Sequence, residues 1–369
     1  MKKLLIVLGI ILFIFLIVFI LMKAFNPPED KKQEKNAKNE ITNNTKTEIS
    51  KQTEIKKEEI KKEEIKPTPY VSYNGWLKVV NTNLKNSKNE NFTLKGISSH
   101  GLQWFSDVLT YDNLKNLKDT WKINVFRIAM YTDEGGYISK KEETKNNLKR
   151  IVNDLVNLDM YVIIDWHILK DNNPNIYKED AKKFFAEISE LYKDTPNVIY
   201  EICNEPNGDN VNWNDVKSYA EEIIPIIRKN SPKSIIIVGT PFWCQQLQPA
   251  ADNPLNFENL LYSCHFYAGT HKQWLRDEVS KALNKNLPII ISEFGTTDAS
   301  GNGNVDIEES KKWINFLNEK NISYINWSFA YKNESSALLL ESYGNNKTQD
   351  FNNYLSESGK FIKSIINAY

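Results

Sequence analysis

From Val71 onward the chain reads as short apolar runs separated by longer mixed stretches. The runs are Phe92–Ile97, Ile123–Ala129, Tyr161–Asp165, Val198–Cys203, Ser234–Val238, Leu261–Phe266, Ile289–Ser292 and Tyr324–Trp327. They are rich in Ile, Val, Tyr and Phe and show little polar alternation, as expected of strands buried on both faces. Between most of them, apolar residues recur at helical spacing, as in Lys141–Leu158, Tyr177–Tyr192, Trp213–Lys229 and Glu308–Lys320. Such stretches predict amphipathic helices that cover a parallel sheet. Eight strand–helix units in about 300 residues predict an α/β fold, a (β/α)8 TIM barrel. An open doubly wound sheet would call for a glycine-rich turn after the first strand, and Gly96-Ile97-Ser98-Ser99-His100-Gly101 is not one. Ahead of the barrel, Val71–Asn91 is expected to form a hairpin on the barrel floor. In it, Trp76–Val79 and Phe92–Leu94 would flank a turn at Lys85–Asn89.

The first 70 residues follow a different pattern. Lys2 and Lys3 precede an uncharged apolar run from Leu4 to Met22, and Lys23 follows. As a helix this run would span about 28 Å, close to the thickness of a hydrocarbon core. Residues 1–25 are therefore expected to be a transmembrane signal anchor, with a cleaved signal peptide as the alternative; either exports the remainder. Residues 26–70 are mostly Lys, Glu, Asn and Thr, and their Ile residues 55, 60 and 65 recur every five positions. That spacing lines no helical face, so a Lys/Glu-rich disordered linker is expected, closed by Pro67-Thr68-Pro69. Residues 71–369 form the expected catalytic domain.

Composition narrows the partners. Lys+Arg and Asp+Glu both number 47, so no basic field favours nucleic acid. Arg is confined to positions 127, 150, 228 and 276, and His to 100, 167, 265 and 271. The places these scarce residues occupy are therefore informative. Cys203, Cys244 and Cys264 lack metal-ligand spacing and read as buried thiols.

In a TIM barrel the chemistry sits at the carboxyl ends of the strands. In chain order those ends carry His100, then Arg127 and Tyr131, then Asp165-Trp166-His167, then Asn204-Glu205-Pro206. Pro241-Phe242-Trp243, His265-Phe266-Tyr267, Glu293-Phe294 and Asn326-Trp327 follow. Glu205 and Glu293 each end an apolar run, one on the fourth strand and one on the seventh. Two such carboxyl groups suit acid/base and nucleophilic work on a glycosidic bond. The alternative is a structural ion-pair cluster with Arg127 and a His, although buried charges cost several kcal/mol each unless closely paired. As catalysts, one Glu must carry a proton and the other a charge, which Arg127 and apolar packing can arrange. His100, His167 and His265 are read as substrate and carboxylate partners in preference to zinc ligands. Asn204 is suited to holding a sugar hydroxyl and Tyr267 to tuning a carboxylate. Trp104, Trp243 and Trp327 are candidate sugar platforms, and His271 is expected at the surface. No cofactor or metal is expected.

The ordered set of motifs resembles glycoside hydrolase family 5, specifically its bacterial endo-β-1,4-glucanases. It comprises Leu94–Trp104, Phe126–Tyr131, Ile164–His167, Glu201–Pro206, Cys264–Tyr267, Ser292–Gly295 and Asn326–Ser328. The resemblance implies that Glu205 is the general acid/base and Glu293 the nucleophile of a retaining, cofactor-free hydrolysis. It implies that Arg127 and Tyr267 hold Glu293 and that His265 supports Glu205. It places Asn204, His167 and Trp327 at the cleavage point. His100, Trp104, Tyr131, Lys332 and Glu334 would then line the non-reducing side, and Trp243 the other. Phe329-Ala330-Tyr331 departs from the more polar loop of the family. The implied partner is a β-glucan polysaccharide, met by a monomeric catalytic domain at the cell surface. A mannanase, xyloglucanase or lichenase on the same scaffold, or a catalytically silent glucan-binding protein, are the alternatives.

Overall fold

The computed structural model describes residues 68–367. The expected anchor, and the linker up to residue 67, lie outside the described residues. Among the described residues no helix is long and apolar enough to cross a membrane.

The eight apolar runs form eight strands: β3 (Lys95–Ser99), β4 (Val125–Tyr131), β5 (Tyr161–His167), β6 (Val198–Glu201), β7 (Ile236–Val238), β8 (Leu260–Tyr267), β9 (Ile289–Gly295) and β10 (Tyr324–Phe329). All neighbours pair in parallel and β10 closes on β3, so the sheet is a closed barrel. The helices named from periodicity appear as α1 (Lys141–Asn157), α2 (Lys178–Leu191), α3 (Trp213–Asn230) and, between β9 and β10, Ile307–Glu319. A capping box at Asn212 and Asp215 starts α3 by satisfying the first free backbone N–H groups.

The floor differs from the sequence expectation. The hairpin pairs β1 (Lys78–Val80) with β2 (Asn83–Lys85) through a turn at Asn81, which takes the left-handed conformation. The Lys85–Asn89 segment forms a second turn, joined by a bridge between Lys85 and Asn91, and Phe92 follows it on the next leg. Asn81 tolerates positive φ, so the chain reverses earlier than its apolar spacing suggests. The result still seals the barrel: Leu77, Leu84, Phe92 and Leu94 pack with Val125, Tyr161, Ile163, Ile199, Ile237, Leu261, Ile290 and Ile325.

Strand alternation explains the rest of the interior. Phe126, Ile128 and Met130 of β4 join the large outer core beneath the helices, and Val125 joins the floor. The same phase brings Arg127 and Tyr131 inward. On β5 it brings in Asp165 and His167, and on β6 Glu201. The barrel interior therefore changes from apolar at its base to charged at the level of Arg127. One interruption shapes the upper layer. Ser263 pairs with Ile290 but His265 pairs with Glu293, so β9 carries one extra residue. This β-bulge lets the consecutive Ser292 and Glu293 both face the site.

Candidate active site

A cleft of about 470 Å³ opens at the carboxyl ends of the strands, and Glu205 and Glu293 both line it. Behind them sits Arg127, fully buried on β4. Its Nε donates to Glu201 at 2.7 Å, its Nη2 lies 3.0 Å from Asp165, and its Nη1 donates to Glu293 at 3.2 Å. Nη2 also donates to Asn204 Oδ1 at 2.7 Å. Burial opposes the guanidinium charge, but the three carboxylates outweigh it and hold Arg127 protonated. The fork of donors lets one cation orient several groups at once.

Glu293 Oε2 takes the Arg127 contact, and Oε1 accepts the Tyr267 hydroxyl at 2.9 Å. The Tyr267 ring lies flat against β9 because residue 295 is glycine; a Cβ there would come within 2.2 Å of the ring. Glu205 lacks comparable donors. Its Oε1 meets His265 Nδ1 at 2.8 Å, and His265 Nε2 meets Ser292 Oγ at 2.9 Å. Burial, first of all, raises Glu205 and Glu293 to about 7. Their mutual repulsion means that the pair gives up its protons stepwise. The first charge belongs on Glu293, where Arg127 and Tyr267 receive it, and the retained proton belongs on Glu205. Burial drives His265 down to about 4, so its ring is neutral.

An oxygen of Glu205, an oxygen of Glu293 and a ring nitrogen of His265 lie within 4.8 Å of one another. These three are the set among the described residues close enough to offer ligands to a metal ion. Each already has a protein partner, and the pairing serves a two-carboxylate reaction as it stands.

Aromatic rings surround the carboxylates. Tyr131 stacks on His167 with centroids 4.1 Å apart, and Trp327 stacks on the same ring at 5.4 Å. His167 Nδ1 contacts Asp165 at 2.6 Å. His100 packs beside Trp327 at 4.9 Å, and Trp104, 43% exposed, stands edge-on to His100 and Tyr131. Lys332 and Glu334 form an ion pair at the rim of this side, with Ser336 donating to Glu334. Across the barrel, after β7, Phe242 and Trp243 project from three consecutive left-handed residues, Phe242 to Cys244. The turn is fastened to the Glu205 segment: Trp243 N–H donates to Pro206 O and Cys244 Sγ to Asn204 O.

Two placements differ from expectation. His271 is buried, not superficial; its Nδ1 accepts the Tyr267 N–H at 2.7 Å, which turns the chain back under Tyr267. Asn204, expected to hold a sugar hydroxyl, is fully buried behind the cleft wall. Its amide donates to Ile168 O and meets His167 Nε2 at 3.3 Å. The other candidates converge at one end of the barrel as anticipated. Asp165, Glu201 and Ser292 were not singled out by sequence. For Asp165 and Glu201 the available signal was an acidic residue inside an otherwise apolar strand, which seldom occurs without a cation to receive it; Ser292 carries no such signal.

A family model, Cellulase (glycosyl hydrolase family 5), matches residues 85–333. An endoglucanase of Clostridium saccharobutylicum is 53% identical over 297 residues, covering 80% of this chain and 66% of its own. Endoglucanase A of Evansella cellulosilytica is 53% identical over 275 residues, covering 74% of this chain and 56% of its own. The chain thus spans less than two thirds of the length of these curated relatives. The solved catalytic domain of Thermobifida fusca endoglucanase Cel5A in complex with cellotetraose superposes with a TM-score of 0.78 at 33% identity, over 81% of this chain and 99% of that one.

Proposed function

This chain belongs to glycosyl hydrolase family 5, and on that premise we propose that it is a retaining endo-β-1,4-glucanase acting on cellulose-type glucans. The observation that carries the reading is the Glu205–Glu293 pair, with oxygens inside 4.8 Å and unequal donor sets. Retaining glycosidases hold their carboxyl groups about 5–5.5 Å apart, and inverting ones wider to admit a water. Glu293, charged and held by Arg127 and Tyr267, attacks the anomeric carbon. Glu205 gives its proton to the departing sugar oxygen. In the second step Glu205, now a carboxylate, takes a proton from water, which attacks the same carbon and frees Glu293.

Substrate class follows from the rims. β3 and β7 are opposite one another in an eight-stranded barrel, so Trp104 and Trp243 flank the carboxylates on two sides. Aromatic platforms on both sides suit a chain bound across the site and cut internally. His100, Trp104, Tyr131, Lys332 and Glu334 serve the non-reducing side, Phe242 and Trp243 the leaving side, and His167 and Trp327 the sugar at the cleavage point. Asn204 orients Arg127 and His167 from behind. The cellotetraose held by the T. fusca relative is the kind of ligand this cleft would take.

Initial rates on carboxymethyl cellulose, mannan, xyloglucan and mixed-linkage glucan test the assignment. The fastest turnover is expected on carboxymethyl cellulose or mixed-linkage glucan, and a clear preference for mannan would overturn the cellulase reading. Equal, near-zero turnover by wild type and Glu293→Gln would identify a glucan-binding protein instead.

The catalytic unit is further proposed to act as a monomer outside the cell, tethered by residues 1–25 through the linker 26–70. The length of the apolar run Leu4–Met22 and its flanking lysines support the tether. N-terminal sequencing of the native protein tests it: a start beyond Lys23 in all of the product would overturn it.

A further inference from the structure

His265 is held at both ring nitrogens, and the chain of contacts behind it determines which nitrogen carries the proton. Ser292 Oγ donates to Glu201 Oε1 at 2.6 Å. Burial favours a proton on Glu201, but its Oε2 accepts Arg127 Nε at 2.7 Å and the guanidinium charge opposes that proton, so the carboxyl group acts as an acceptor. A serine hydroxyl has one proton. With it committed to Glu201, Ser292 Oγ can only accept from His265 Nε2, 2.9 Å away. The neighbouring Ser263 hydroxyl closes on the same oxygen and fills its remaining lone pair. All of these groups are buried.

We propose that Ser292 and Glu201 are positioning residues for the acid/base: they hold His265 as the Nε2–H tautomer, so that Nδ1 faces Glu205 as an acceptor for its proton. The proposal rests on reading Glu205 as the proton carrier. It explains the bulge in β9, because without the extra residue Ser292 and Glu293 would face opposite sides of the sheet. It also gives Glu201 a task distinct from pairing Arg127. The other titratable groups around Glu205 are Arg127 and Tyr131 of β4, Asp165 of β5, Tyr267 of β8, Glu293 of β9 and Cys244 after β7. None of these hydrogen-bonds to the His265 ring, although the Glu293 carboxylate, within 4.8 Å of it, favours a proton on the ring and Arg127 opposes one.

Removing the Ser292 hydroxyl frees the ring to take the Nδ1–H form, which donates to Glu205 and favours its charged state. The test compares wild type, Ser292→Ala and Ser292→Thr by the pH dependence of kcat/KM on cellopentaose and on 2,4-dinitrophenyl β-cellobioside. The second substrate has a leaving group that needs no proton. Ser292→Ala is expected to lose roughly tenfold on cellopentaose and to move the basic limb about one pH unit lower. On the dinitrophenyl substrate it is expected to stay within about threefold of wild type. Ser292→Thr, which keeps the hydroxyl, should restore the limb. An unchanged basic limb, or equal losses on both substrates, would overturn the proposal. Glu205→Gln, run alongside, tests the underlying reading separately: it should lose cellopentaose cleavage and keep glycosylation by the dinitrophenyl substrate. If it loses both equally, the assignment of Glu205 fails regardless of Ser292.

Discussion

Glu205 and Glu293 share one cleft and are comparably buried, yet they receive different hydrogen bonds. Donors therefore decide their roles: Arg127 and Tyr267 receive charge on Glu293, and a neutral His265 faces Glu205. The same burial has a consequence for stability. Glu205 is raised from an ordinary 4.5 to about 7, chiefly by loss of water. Between those values the folded protein binds a proton that the unfolded chain does not. This group therefore makes stability rise as pH falls from about 7 toward 4.5, and its penalty is greatest above pH 7. Glu205→Gln, neutral throughout, is expected to raise stability by about 1–3 kcal/mol at pH 8 and by roughly a quarter of that at pH 5. Thermal melts of both proteins at the two pH values measure this, and an equal difference at both would contradict the assigned cause. Glu205, Glu293 and the scarce His and Arg positions were legible in the sequence, because a charge at the end of an apolar strand is costly to bury unless a partner or a reaction uses it. His271 was misread because it follows a strand end in an unpatterned segment, and only the fold shows that it accepts the Tyr267 N–H.

At the level of elements, the strands and helices were legible because burial on both faces and helical periodicity leave separate marks. The bulge in β9 was not: alternation alone would put Ser292 and Glu293 on opposite faces, and the extra residue appears only when neighbouring strands fix the register. The early reversal of the floor hairpin at Asn81 was hidden for a similar reason, since its backbone conformation leaves no trace in the apolar pattern. The turn after β7 has a direct consequence for binding. It holds three successive residues in left-handed conformations, uncommon for side chains of this size, and fastens them to Pro206 and Asn204. The outcome is an exposed Phe242–Trp243 corner with ring centroids 5.1 Å apart. Phe242→Ala is expected to raise KM on cellopentaose roughly three- to tenfold while kcat changes little. Steady-state kinetics check this, and a fall in kcat with unchanged KM would place Phe242 outside substrate binding.

At the scale of the whole barrel unit, an apolar floor, a charged upper layer and an aromatic rim follow one another along the barrel axis. The floor cluster closes the base, Arg127 gathers three carboxylates above it, and the cleft opens where one of them, Glu293, meets Glu205. Lys+Arg and Asp+Glu balance across the full sequence, so its net charge favours neither an acidic nor a basic partner. The central claim is that Glu293 forms a bond to the sugar while Glu205 handles protons. Incubation with 2,4-dinitrophenyl 2-deoxy-2-fluoro-β-cellobioside, which slows the second step, followed by peptide mass mapping, tests it most directly. The expected result is one fluorocellobiosyl group on the peptide containing Ile291–Gly295, attached at Glu293. Label on Glu205, or turnover to the inverted anomer with no covalent adduct, would contradict it.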